Sequence, residues 1–259
     1  MTDAAAPPVC PRHPDRVTYV TCQRCGRPTC PDCQRPAPVG IQCVDCVKQE
    51  ASRVGPVVNR LGFVSANGTP WATYALMAAS VLAFAYGHLV LGESRWIIDW
   101  GLWPRGVPGL EEFGHDWYRW ISSGFLHFGF LHLAINMFVL WQFGTQLEPV
   151  LGRLRFVGVY LASVIGGSAA IMLLGTGNVH GGASGAIFGL IAAFAVVLMK
   201  LNLSAQSLLA SAGIWLVAGF FINGISWQGH LGGAIAGAVV MFAMLRGVDR
   251  RAQRRRIPN

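Results

Sequence analysis

From Trp71 onward the chain is a succession of apolar runs close to the length that crosses a bilayer. A spanning helix needs roughly 20 apolar residues. Six stretches approach that length, at about 71–91, 126–147, 155–175, 183–200, 206–223 and 228–246. In lipid the backbone must satisfy its own hydrogen bonds, so only helices or a closed barrel can cross. No stretch alternates apolar and polar residues as barrel strands do, which leaves helices. The composition, 53% hydrophobic and 12% charged, is too apolar for one soluble domain. The fourth and fifth runs are short, and Asn202, Ser204 and Gln206 between them favour a turn. The expected fold class is therefore an all-α membrane protein with six transmembrane helices.

The formal charge of +8 invites a nucleic-acid reading, but its placement argues for a membrane. Arg246, Arg250, Arg251, Arg254, Arg255 and Arg256 follow the last apolar run. Lys48, Arg53 and Arg60 precede the first, Arg153 and Arg155 follow the second, and Lys200 follows the fourth. If the spans alternate, all of these fall on one side, which the positive-inside rule makes the cytoplasm. Both termini are then cytoplasmic, and the tail at 247–259 can attract anionic lipid headgroups. The opposite side receives the long 92–125 connection, where Glu93, Glu111, Glu112 and Asp116 offset Arg95, Arg105 and Arg119. Its tryptophans (Trp96, Trp100, Trp103, Trp117, Trp120) suit the headgroup level, although an ordinary amphipathic connector fits too.

Polar and ionisable side chains at membrane depth are costly and mark function by default. Ser184 opens the fourth run and His230 the sixth, so alternating spans bring both to a similar depth near the outer surface. Serine needs a base to become a nucleophile, and histidine is the usual one. Gly229, Gly233 and Gly237 recur at four-residue spacing, as do Gly185 and Gly189; such spacing lets helices approach closely. His132 and Asn136 share one face of the second run and offer donors for an oxyanion, with the Ser184 N–H a third. His127 is a weaker candidate. The competing reading is packing: a serine bonding the preceding turn, and polar side chains joining helices. Rival chemistries lack their residues. There is no His-Glu-x-x-His, Glu148 lies at the cytoplasmic end, and no aspartate falls in a run.

The front of the chain is a different material. All seven cysteines lie between Cys10 and Cys46. Met1 to Pro8 lack a basic stretch followed by an apolar one, so no secretory signal is expected and a reducing cytoplasm follows. Cys10-x2-His13, Cys22-x2-Cys25, Cys30-x2-Cys33 and Cys43-x2-Cys46 are four pairs with zinc-ligand spacing, enough for two structural zinc ions. A cross-braced arrangement joins Cys10, His13, Cys30 and Cys33; sequential pairing is the alternative. The expected division is a zinc domain at 1–50, a linker at 51–70, the helical bundle at 71–246 and the basic tail.

Several short motifs, in this order and on these runs, resemble the rhomboid family of intramembrane serine proteases. They are Trp117-Tyr118-Arg119-Trp120, His127-x4-His132-x3-Asn136, Gly144-x3-Glu148-x3-Gly152, Gly182-Ala183-Ser184-Gly185 and Gly229-His230-x2-Gly233-x3-Gly237. The resemblance implies a six-helix rhomboid bundle and a Ser184–His230 dyad without an acidic third member. It implies an oxyanion site from His132, Asn136 and the Ser184 N–H, with no cofactor for catalysis. It further implies cleavage of single-span membrane proteins near the outer boundary, with gating over roughly 206–229, where Gly224 can ease movement. Phe188 stands where many bacterial members carry tyrosine. The front end resembles a B-box-type zinc finger, which suggests a cytoplasmic protein partner and makes nucleic acid a poor one. The expected setting is a multi-pass protein of a bacterial plasma membrane. The alternatives are a catalytically inactive relative that binds membrane clients and, more remotely, a transporter, for which the internal repeats are missing.

Overall fold

A computed structural model describes residues 6–53, 58–65, 68–104, 107, 109–110, 116–175, 177–222 and 224–256. Arg105, Glu111 and Glu112 of the long connection, and parts of the expected linker and of both termini, lie outside the described residues. The chain divides into two compact units after Val57.

The first unit holds two small antiparallel pairs, β1 (Val9–Cys10) with β2 (His13–Val17) and β3 (Gln34–Pro36) with β4 (Ile41–Cys43). A 3₁₀ turn spans Pro31–Cys33, and helix α1 covers Val44–Arg53. Its fully buried described residues are six cysteines with Thr18 and Thr29. No large apolar side chain is among them. A unit of this size without such a core needs another source of folding energy, and metal binding is the usual one.

The second unit is helical. It contains α2 (Trp71–Tyr86), continued by a π turn at Gly87–Leu91, then α3 (Glu93–Trp100) and the short α4 (Arg119–Ser122). Five longer helices follow: α5 (Phe130–Leu151), α6 (Arg153–Leu174), α7 (Ser184–Lys200), α8 (Gln206–Phe221) and α9 (Trp227–Arg256). Each of the six apolar runs is thus helical. Length and composition qualify fewer as spans: Trp71–Leu91, Arg153–Leu174 and Trp227–Val248 do, and α5 does only with the 119–125 segment, from which it is bent by 93°. Helices α7 and α8 are apolar but shorter. At 1.5 Å per residue α7 reaches only about 25 Å, less than the roughly 30 Å hydrocarbon layer. The chain is an integral membrane protein whose described helices give three to four full-length spans. Outward-facing side chains such as Leu82, Leu173, Ile214, Phe221 and Phe242 are apolar and exposed, as lipid contact requires.

Small residues set the centre of this unit. A Cβ on Gly233 or Gly237 of α9 would overlap the carbonyl oxygens of Gly185 and Gly189 on α7. On the other flank, a Cβ on Gly167 of α6 would lie 2.9 Å from the Gly229 oxygen. So α9 is pressed between α6 and α7 at backbone contact, the geometry that small-residue repeats permit.

The motif around Glu148 has a structural meaning. Gly144 leaves room for Thr73, where a Cβ would come within 2.7 Å of its hydroxyl. Glu148, 1% exposed, then accepts the Ala72 N–H at 3.0 Å, the Thr73 N–H at 2.7 Å and the Thr73 hydroxyl at 2.8 Å. These are orphan donors at the start of α2, and a carboxylate there is also favoured by the helix dipole. Gly152, at φ +81°, turns the chain from α5 into α6 in a conformation that favours glycine. Residues 58–65, read above as linker, pack on this end. Asn59 donates to the Val150 carbonyl at 2.7 Å and accepts from the N–H groups of Leu61 and Phe63, both buried in the core.

Candidate active site

Ser184 is the first residue of α7, and the turn that delivers it is tied down on three sides. The Gly182 N–H donates to the Ser123 carbonyl at 2.8 Å. Gly182 adopts φ +134°, and a Cβ there would lie 2.8 Å from Cε1 of His132. Glycine is therefore required for both conformation and space. The next N–H, of fully buried Ala183, donates to Nε2 of His127 at 3.4 Å. Since Nε2 accepts, the proton is on Nδ1, which lies 3.1 Å from the Phe125 carbonyl and donates to it. The weaker histidine candidate of the sequence thus holds the turn that leads into Ser184.

His230, in the first turn of α9, places Nε2 at 2.9 Å from the Ser184 hydroxyl. Phe188, one turn beyond Ser184, stacks on its imidazole with centroids 4.1 Å apart and planes 11° from parallel. The ring therefore has one face against Phe188 and its edge on the serine. Nδ1 of His230 is buried without a hydrogen-bond partner, so among the described residues no carboxylate completes a triad.

His132 and Asn136 face the same space. The Asn136 amide donates to the His132 carbonyl at 2.8 Å, while its Oδ1 is buried without a partner. The His132 ring stacks on Phe128 and meets His127 edge-on at 5.1 Å. Together with Ser184, Phe188 and His230 they line an open cleft of about 1270 Å³, whose far wall includes Trp215 of α8. Behind Ser184 a second cavity of about 40 Å³ is lined by Ser123, Ser168, His180 and Ser226. A space of that size and polarity suits a water molecule.

His180 borders both cavities, and sequence reasoning missed it. It lies in the loop before α7, where its backbone pairs with Leu102 at 2.6 and 3.1 Å. Burial pushes its imidazole below the usual value. Its only sequence signal is a polar residue close before the glycine-serine motif. The tryptophan–arginine stretch acts through the backbone. Buried Arg119 donates to the carbonyls of Ile98 at 2.6 Å and Gly101 at 3.1 Å, and its guanidinium covers the Trp103 ring at 4.3 Å. It fixes the long connection against the helices rather than touching Ser184 or His230.

In the first unit the eight ligand-type residues fall into two groups, Cys10–His13–Cys30–Cys33 and Cys22–Cys25–Cys43–Cys46, each with ligand atoms within 4.8 Å of one another. This is the cross-braced grouping. Sγ of Cys25 and Cys43 are 3.8 Å apart, and Nδ1 of His13 lies 3.2 and 3.4 Å from Sγ of Cys30 and Cys33. A tetrahedral zinc with ~2.3 Å Zn–S bonds separates sulfurs by ~3.8 Å, so the donor sets fit such an ion. Hydrogen bonding at the Cys30 backbone holds the Cys10 thiol down at about 6. Burial raises Cys22, but the N–H groups of Cys25 and Cys43 outweigh it and keep that thiol at about 6. Both favour the thiolate form that metals bind, whereas burial pushes the Cys33 thiol up to about 11 and the Cys46 thiol up to about 12, so an ion has to displace a proton from one ligand in each group.

Comparison with known proteins adds the lineage. A family profile described as the Rhomboid domain matches residues 114–247, just over half of the 259 residues. The chain belongs to the rhomboid family. The rhomboid protease GluP of Bacillus subtilis is 32% identical over 185 residues, covering 69% of this chain and 36% of that protein. The putative rhomboid protease YdcA of the same organism is 34% identical over 161 residues, 58% of this chain and 79% of that one. Rhomboid protein 1 of yeast mitochondria (Saccharomyces cerevisiae) is 29% identical over 158 residues, covering 52% and 44%. The match thus spans less than half the length of two of these three relatives. The rhomboid profile contains every dyad and oxyanion candidate and excludes the cysteine-rich unit.

Proposed function

We propose that this rhomboid is an intramembrane serine endopeptidase that cleaves single-span membrane proteins near the outer membrane boundary. The observation that carries the reading is the 2.9 Å contact between Nε2 of His230 and the Ser184 hydroxyl, made between helices whose sequence positions are far apart. Ser184 attacks the scissile carbonyl as His230 takes its proton. His230 then returns that proton to the leaving amine, and a water activated by the same imidazole hydrolyses the acyl-enzyme. The small cavity behind Ser184 is suited to hold that water. The developing oxyanion is met by the free Ser184 N–H at the start of α7, the second amide hydrogen of Asn136 and the His132 ring. The unpartnered Nδ1 of His230 supports a dyad rather than a triad. Substrate enters the open cleft between α5 and α8. Segments weakened by glycine or other poor helix formers are favoured, because the peptide bond must leave its helix to be attacked.

The first unit is a cytoplasmic, B-box-like domain that folds around two structural zinc ions. Its ligands are the two convergent groups, and its role is to contact another protein. Zinc takes no part in the hydrolysis. Both termini lie in the cytoplasm of a bacterial cell.

Cleavage of a model single-span substrate in proteoliposomes tests the assignment. Ser184→Ala and His230→Ala should each reduce the rate by roughly 10⁴-fold or more, and mass spectrometry should place the cut near the outer boundary. Full cleavage by Ser184→Ala would end the nucleophile assignment. Substrate capture without cleavage by the unaltered protein would favour a client-binding role instead.

A further inference from the structure

Outside the protease unit, the densest set of interlocking polar contacts runs between the two cysteine groups. Arg27 lies on the loop after Cys25. Its Nε donates to Cys25 Sγ at 3.4 Å, and Nη2 approaches Cys43 Sγ at 3.9 Å. One guanidinium therefore serves two sulfurs of the same group. The same Nη2 lies 3.4 Å from Oδ2 of Asp45, whose other oxygen is 3.3 Å from Nε of Arg12. Arg12 sits in the Cys10-x2-His13 turn of the other group, and Asp45 in the Cys43-x2-Cys46 turn.

We propose that Arg12, Asp45 and Arg27 form a bridge coupling the two metal sites, in which Arg27 positions and shields the thiolates of the four-cysteine site. The proposal rests on the reading of these groups as zinc ligands. Its physical basis is charge. Four thiolates around a dication leave a net −2, while three thiolates and a neutral imidazole leave −1. The four-cysteine site thus has more to gain from a fixed cation, and its Cys25 is the one exposed cysteine of the seven. Arginine's planar fork can donate to two acceptors at once, which a lysine cannot match. The plainer reading is a set of surface ion pairs. Pairs this exposed contribute little stability, so they do not account for an arginine aimed at two sulfurs. Groups that orient metal ligands from outside the coordination shell do, and losing one typically costs 10–100-fold in metal affinity.

Cobalt(II) titration of the full chain in detergent, after metal removal, distinguishes the two sites by their sulfur-to-metal absorption. The unaltered protein should take up two ions. Arg27→Ala should weaken the four-cysteine site by 10–100-fold and speed alkylation of Cys25, and Arg27→Lys should fall between. Asp45→Asn should alter uptake at both sites. Arg24→Ala, which removes a pairing with Glu50 and touches no sulfur, should titrate like the unaltered chain. Wild-type affinity and Cys25 reactivity in Arg27→Ala, with two ions bound, would overturn the bridge alone. Failure of the unaltered chain to bind any cobalt or zinc would overturn the metal reading beneath it.

Discussion

What distinguishes Ser184 from an ordinary helix serine is the set of groups that fix the turn leading into it. His127 is the least obvious of them. Replacing it with alanine leaves the buried Ala183 N–H without its acceptor, a loss of about 1–3 kcal/mol. A turn loosened by that amount should lower cleavage about 10–100-fold and the melting temperature by several degrees, while the helical circular dichroism signal stays close to the parent's. Unchanged kcat in that variant would remove His127 from the site. Phe188 presents a second test. Phe188→Ala frees one face of the His230 ring and should lower kcat by about tenfold or more, whereas Phe188→Tyr keeps the ring and should cleave at a similar rate. Ser184, His230, His132 and Asn136 stood out in the sequence as candidates because each is a polar group where lipid penalises polarity, and the structure brings all four to one cleft. The use made of His127 was not legible, since its partner is a backbone N–H 56 positions away. Likewise Nη1 of Arg119 donates to the carbonyls of Ile98 and Gly101, which leave no trace in residue types.

Among the elements, the glycine contacts and the Glu148 cap do different work. The glycines set how near α7 and α9 can lie. Gly237→Leu must push α9 off the Gly189 carbonyl, and the serine–histidine contact near the top of the same helix pair should lengthen with it. Activity should be lost, with a melting temperature several degrees lower; an active Gly237→Leu enzyme would contradict this packing. Glu148→Gln keeps the shape but halves the accepting capacity and removes the charge facing the start of α2. A loss of roughly 1–3 kcal/mol in stability is expected, read as a lower unfolding temperature in detergent, with the dyad geometry intact at the far end of α5. The apolar runs predicted helices in the right places. They did not predict the 93° break before α5, which begins at Phe130, nor the docking of residues 58–65 through Asn59. Hydropathy averages over a window, whereas these features depend on single hydrogen bonds to distant carbonyls.

For the whole molecule, the division after Val57 separates two ways of holding a chain together. The first unit buries cysteines where other domains bury leucine, and its grouping of ligands could not be chosen from spacing alone because both pairings satisfy it. Stripping metal with a chelator should unfold residues 6–53 while leaving cleavage of a transmembrane substrate within about twofold; proteolysis and activity assays on the same sample separate the two effects. The second unit is uneven. Helix α7 buries nine of its residues, whereas Gly219 is the one buried residue of α8. Glu148 meanwhile ties α2 to α5. A machine that must admit a bulky guest yet preserve a bond of a few ångströms has to put its hinge somewhere other than its anvil. Among the longer described helices of this unit, α6, α7 and α9 pack at backbone contact, α2 and α5 are tied through Glu148, and α8 has the fewest buried residues, so it is the element whose displacement would disturb the Ser184–His230 contact least.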